Sequence, residues 1–163
     1  MTEQIQCGSC NDFVERVLGY YQPLLSRHGF QFDTCSARDG GRDLSCSVVF
    51  TGPRSRLMFV LSDGAEATAI SARDATPPPN GWSLRDGDNG WYSAIGLIEY
   101  KSGQRLMSRK LADAFGRGER DYFEWESALV TEWLERLAAM FTPDQVASWQ
   151  PDFAKYRSTR RYD

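Results

Sequence analysis

Histidine is almost missing from this chain, with His28 the only one among 163 residues. Any Ser-His-Asp or Cys-His catalytic set would have to use it, and no metal site could hold two histidines. Lysine is scarce too, confined to Lys101, Lys110 and Lys155, so the basic residues are mostly arginine. No run approaches about 20 apolar residues, which excludes a membrane-spanning helix by length. A phosphate-cradling glycine loop, a Walker sequence, H-E-x-x-H and G-x-S-x-G are absent as well. The stretch Met1 to Gln6 has neither the basic nor the apolar part of a secretory signal. A cytoplasmic location is the expectation, with reduced thiols at Cys7, Cys10, Cys35 and Cys46.

What is present describes one α+β domain over residues 1–163. Apolar residues make up 41% and charged ones 25%, proportions that exclude collagen, coiled coil and wholesale disorder. A net charge of −3 with a pI near 5.2 disfavours a surface given over to phosphate binding.

The chain divides by hydrophobic period. Phe13, Val14, Val17, Leu18, Tyr21, Leu24 and Leu25 recur at helical spacing, which predicts a helix from an Asn11 cap to about His28, ended by Gly29. Pro23 is expected to kink or tighten its last turn. Four short strands follow: Phe30–Ala37, Leu44–Thr51, Arg56–Ser62 and Glu66–Ala72, with Asp63-Gly64 a type I′ turn signal. The fold class is thus an N-terminal helix packed on a four-stranded antiparallel meander, followed by a helical C-terminal half. Residues 73–90 read as a long loop around Pro77-Pro78-Pro79, and 1–10 and 158–163 as flexible ends. Helices are predicted over Trp91–Ser102, Leu106–Phe115 and Asp121–Phe141. A last one starts at Thr142-Pro143-Asp144-Gln145, and Pro151 is expected to break it. The stripe Trp125, Leu129, Val130, Trp133, Leu134, Leu137 and Phe141 marks the inner face of the long helix.

Candidate chemistry is thin. Cys7-Gly8-Ser9-Cys10 has C-x-x-C spacing before a helix, where a thiol is activated, but no strand precedes it as a thioredoxin-like unit requires. As a zinc knuckle it would need Cys35 and Cys46 too. The expectation is incidental thiols, with no metal and no cofactor. A hairpin centred between Gly40 and Gly41 would set Cys35 directly opposite Cys46 as a small apolar pair. His28 reads as an exposed residue of a last helical turn. Glu124, Glu126, Glu132 and Glu135 fall mostly opposite the apolar stripe of the long helix, hence in solvent, and could form an acidic docking face. Lys101, Arg105, Arg109, Lys110, Arg117 and Arg120 form a basic segment, and Lys155, Arg157, Arg160 and Arg161 a basic tail.

The order of elements, with Leu25-Ser26-Arg27-His28-Gly29-Phe30 leading into the first strand and Trp91-Tyr92 after the loop, resembles small α+β bacterial proteins. Many of those resemble immunity proteins encoded beside polymorphic toxins. The resemblance implies a protein that works by binding, with a cognate partner blocked by a charged surface.

The expected function is therefore a non-enzymatic protein-binding module, possible partners including a basic toxin. Glu124, Glu126, Glu132 and Glu135 would steer association, and Trp82 and Tyr92 would serve as aromatic anchors. The alternative is nucleic-acid or nucleotide binding through Arg105, Arg109, Lys110 and Arg117 and the tail. A third reading, an enzyme using thiols or carboxylates, calls for a pocket of convergent polar groups between sheet and helices.

Overall fold

The computed structural model describes residues 4–40, 43–75 and 86–159, apart from the side chain of Asp88. Its first helix, α1 (Asn11–Arg27), buries Phe13, Val14, Val17, Tyr21, Leu24 and Leu25, the stripe that its period predicts. The cap differs from expectation. Cys10 occupies the N-cap position, and Asn11 turns its Oδ1 back to accept the Cys7 N–H at 2.6 Å. Gly29, at φ 72°, ends the helix in the left-handed region that a side chain would strain.

Strands β1 (Gln31–Asp39), β2 (Leu44–Thr51), β3 (Ser55–Ser62) and β4 (Ala65–Ala72) form the antiparallel meander. Asp63 and Gly64 both take positive φ, 52° and 76°, as a type I′ turn requires. A fifth strand, β5 (Tyr92–Ser93), lies where the sequence predicts the start of a helix. It pairs with β4 through Ile70↔Tyr92 and Ala69↔Ser93.

Helices α2 (Ala94–Ser102), α3 (Arg109–Gly116), α4 (Tyr122–Ala139) and α5 (Pro143–Thr159) complete the chain. Ser93, Ser108 and Asp121 cap the first three with side-chain oxygens, each accepting the N–H three residues on. Pro151 does not break α5, and α1 continues through Pro23. The residues one turn earlier, Ala147 and Gly19, are both small.

Alternation along the strands sends Cys46, Val48, Phe50, Leu57, Phe59 and Ile70 to the helical face. There Tyr21, Phe59 and Phe123 meet in tilted and edge-to-face contacts, with ring centroids 4.5 to 6.2 Å apart. A second aromatic group, Tyr92, Trp149 and Phe153, joins α5 to the sheet margin. The opposite face holds a smaller cluster of Val49, Met58, Val60, Ala69 and Trp91. Burial of both faces explains the near-continuous apolar run of β3 from Leu57 to Leu61, and in β2 it covers Ser45 and Ser47 as well, which alternate with the apolar residues.

The cysteines depart from expectation. Cys7 is bonded to Cys35 and Cys10 to Cys46, with Cα separations of 6.1 and 5.9 Å, and no cysteine is free among the described residues. Cys35 does not face Cys46. The loop between Asp39 and Leu44 is longer than the two-residue turn assumed from Gly40-Gly41, so Cys46 pairs with Ala37 and Cys35 with Val48. Residues 7–10, read from sequence as part of a loose end, instead hold a 3-10 turn tied twice to the sheet. The proline run and Trp82 lie outside the described residues.

The bond from Cys10 to Cys46 spans a sequence separation of 36 residues, and closing a loop of that size restricts the unfolded chain by about 3–4 kcal/mol. In the oxidised protein, Cys10→Ala combined with Cys46→Ala should lower the unfolding free energy by about 3 kcal/mol in urea titration. Adding a reductant should shift the parent protein's urea midpoint in the same direction.

Candidate functional site

Two charged constellations join α1, β4 and α4. The first is centred on Arg16, whose guanidinium forks between two carboxylates. Its Nε and Nη2 donate to Glu66 at 2.7 and 2.8 Å, and its Nη1 and Nη2 to Asp121 at 3.0 and 2.8 Å. Asp121 also accepts the Tyr20 hydroxyl at 2.7 Å and the Glu124 N–H at 3.2 Å, the latter as N-cap of α4. The Arg16 hydrogen bonds hold the Asp121 carboxyl well below the usual carboxylate range, and the two acids raise Arg16 in turn.

The second constellation is centred on Glu126, which the sequence places on an acidic outer face. The structure buries it completely. Helix phase is the reason: Phe123, Glu126, Val130, Leu134 and Leu137 share one face of α4, and that face meets the sheet. The wide aromatic residues Trp125 and Trp133, with Leu129, flank this seam and stay partly exposed. Inside, Glu126 Oε1 accepts the hydroxyls of Tyr21 and Thr68, and Oε2 accepts that of Tyr122. Desolvation pushes the Glu126 carboxyl up, and the three hydroxyls only partly oppose it. Burial likewise pushes Tyr21 far above the ordinary phenol range.

Beside these groups lies a cavity of about 420 Å³, walled by Arg16, Glu66, Met107, Phe115, Asp121 and Tyr122. Its charged groups hydrogen-bond mainly to one another: Arg16 to both acids, and Asp121 to two further partners, Tyr20 and the Glu124 N–H. Across it lies α3, none of whose side chains is buried. Phe115 holds α3 by ring contacts with Tyr122 and Trp125 at 5.3 and 5.4 Å. The buried Glu99 secures the preceding loop by accepting the N–H groups of Leu106 and Met107 at 2.7 and 3.0 Å. Sequence reasoning passed over Glu99 because its neighbours Ile95, Leu97 and Ile98 set the apolar period. The unusual signal was an acid inside an otherwise apolar helix.

The remaining predicted site residues separate in space. Glu124, Glu132 and Glu135 are exposed on the outer side of α4, and none forms an ion pair among the described residues. The one cation of that helix, Arg136, stacks on Trp133 with its guanidinium carbon 3.5 Å from the ring centre. Tyr92, expected as an exposed anchor, is buried against Trp149, because β5 turns it to the helical face. Arg105, Arg109, Lys110 and Arg117 are exposed on and around α3, and Arg117 is paired with Glu119 at 2.8 Å. His28 is the half-buried C-cap of α1, not fully exposed. No helix among the described residues is long and apolar enough to cross a membrane.

No family model, curated protein or solved structure matches this chain.

Glu126 generates a pH-dependent expectation. Its folded-state pKa is raised, so the stability it contributes is full below the ordinary carboxyl range and is lost as pH rises through the folded value. Glu126→Gln removes that loss and keeps an acceptor and a donor, so its unfolding free energy relative to the parent should become more favourable from pH 4 to pH 7. Glu126→Ala strands three hydroxyls and should cost about 2–4 kcal/mol at pH 4, the cost shrinking toward pH 7 because Ala, like Gln, does not titrate. Urea titrations of the three proteins at the two pH values measure this. Asp121, whose pKa is lowered, works the other way: its contribution is present above the ordinary carboxyl range and disappears in acid.

Proposed function

We propose that this protein is a non-enzymatic binding module of the cytoplasm, immunity-like in the sense that it neutralises or regulates a basic partner protein. The observation that carries this reading is the outer side of α4, where Glu124, Glu132 and Glu135 stand exposed without a counter-ion among the described residues. Glu132 and Glu135 lie three residues apart, a spacing at which like charges cost an isolated helix a few tenths of a kcal/mol. An arrangement that weakens its own helix and leaves its charges unpaired is what a docking face for a cationic surface requires. Partly exposed Trp125, Leu129 and Trp133 border the acids and supply apolar contact area of the kind that dominates interface energetics. They replace Tyr92 as the aromatic contribution, and Glu126 plays no direct part.

Nucleic-acid binding through Arg105, Arg109, Lys110 and Arg117 has less support. Arg117 already carries Glu119, and Arg157 of the tail carries Asp86 at 2.8 Å. Arg160 and Arg161 lie outside the described residues.

The test uses the purified protein against the basic product of a neighbouring gene. Association should be fast at low salt and slow with rising ionic strength, as electrostatic steering requires. Glu132→Lys with Glu135→Lys should weaken binding by about tenfold or more, chiefly through the association rate. Unchanged affinity after the double reversal would reject the α4 face. A salt-dependent mobility shift of a DNA or RNA duplex, lost on Arg109→Glu with Lys110→Glu, would favour the α3 segment instead.

A further inference from the structure

Among the described residues no group of three or more His, Cys, Asp or Glu side chains is placed to hold a metal ion, and the four cysteines are paired as two disulfides. They nevertheless share one small neighbourhood. Cys7 and Cys10 stand three residues apart in a single 3-10 turn, in which the Cys10 N–H donates to the Cys7 carbonyl at 3.0 Å. Gly8, at φ 55°, gives that turn the left-handed residue it needs. Cys35 and Cys46 lie on neighbouring strands and on the same sheet face. Because Cys46 pairs with Ala37 and Cys35 with Val48, they are diagonal neighbours about 7–8 Å apart. The Cα separations of 6.1 Å from Cys7 to Cys35 and 5.9 Å from Cys10 to Cys46 close the quadrilateral.

A tetrahedral zinc tetrathiolate has Zn–S bonds of about 2.3 Å, which sets its sulfurs about 3.7 Å apart. Opening a disulfide to that separation moves each sulfur by about 1 Å, within reach of side-chain rotation. The surroundings suit a closed site. Cys10 and Cys46 have no exposure, Cys7 has 6%, and Cys35 is half-buried. Four thiolates fill the coordination sphere and leave no position for water, the pattern of a structural rather than a catalytic zinc.

We propose that the reduced protein binds one Zn²⁺ through Cys7, Cys10, Cys35 and Cys46, so that the metal replaces the two disulfides as the tie between the N-terminal turn and the β1–β2 edge. The two states belong to different redox environments. Disulfides persist where conditions are oxidising, whereas in a reducing cytosol the same four sulfurs are thiols. The chemistry balances. A phosphine reductant takes one oxygen from water for each disulfide it opens, giving a phosphine oxide and two thiols. Zinc binding then releases one proton from each of the four thiols and leaves the site with two negative charges. The proposal is independent of the α4 docking face.

The experiment reduces the full chain with a phosphine under argon, adds zinc chloride, removes unbound metal by gel filtration and measures zinc by mass spectrometry. One zinc per chain is expected, with all four cysteines protected from iodoacetamide. Cobalt(II) in place of zinc should show thiolate charge-transfer and tetrahedral ligand-field bands. Cys35→Ser should lower zinc affinity by more than about 100-fold, beyond what outer-shell changes cost. Cys35→His should keep one metal with a shifted cobalt spectrum, which separates loss of a ligand from loss of the fold. A reduced chain that leaves the column without zinc overturns the proposal. So does an octahedral cobalt spectrum, or zinc held equally well by Cys35→Ser and Cys46→Ser.

Discussion

A carboxyl group removed from water needs donors around it, and Glu126 finds three hydroxyls on three separate elements. Tyr21 comes from α1, Thr68 from β4 and Tyr122 from its own helix α4. The contact therefore fixes the height and rotation of α1 and α4 against the sheet together. Apolar packing is non-directional, whereas these three hydrogen bonds have directions that the elements must meet at once. The aromatic group of Tyr21, Phe59 and Phe123 is built around this constraint, because Tyr21 belongs to both.

Arg16 repeats the linkage nearer the surface, again between α1, β4 and α4, and the two centres respond oppositely to pH. Acid weakens the Arg16–Asp121 contact by protonating a carboxyl that is normally held ionised, while it relieves the burial penalty at Glu126. Stability at intermediate pH reflects the balance of these two effects. Arg16, Glu66 and Asp121 also give the cavity beneath α3 its charged wall, and those charges tie the elements together.

The exterior follows from this interior arrangement. Turning Glu126 inward leaves Glu124, Glu132 and Glu135 as the outer charges of α4 and sets Trp125, Leu129 and Trp133 at its flank. The proposed docking face is what remains once the seam with the sheet has been satisfied. Before α1 the four cysteines hold the N-terminal turn to the β1–β2 edge, and their redox state selects the kind of bond that does so.

Local signals were sufficient wherever neighbours in sequence decide the outcome. The stripe from Phe13 to Leu25, the limits of β2, the positive φ at Asp63-Gly64 and the stop at Gly29 were all legible, because period and backbone sterics act over a few residues. Helical spacing alone could not give the rotation of α4, since Trp125 and Trp133 fit the same period as Phe123, Val130 and Leu134 and only the sheet chooses between them. Hence Glu126 read as exposed and Trp125 as buried. Strand β5 escaped notice because two residues carry no alternation, and only the free edge of β4 makes them a strand. The cysteine pairing depended on how far the β1–β2 loop displaces the register, and on where α1 starts relative to that sheet. The sequence alone determined which elements form, β5 excepted, since that is settled by short-range chemistry. Only the tertiary structure decided which charges face inward and which sulfurs meet, because both depend on residues brought together from distant parts of the chain.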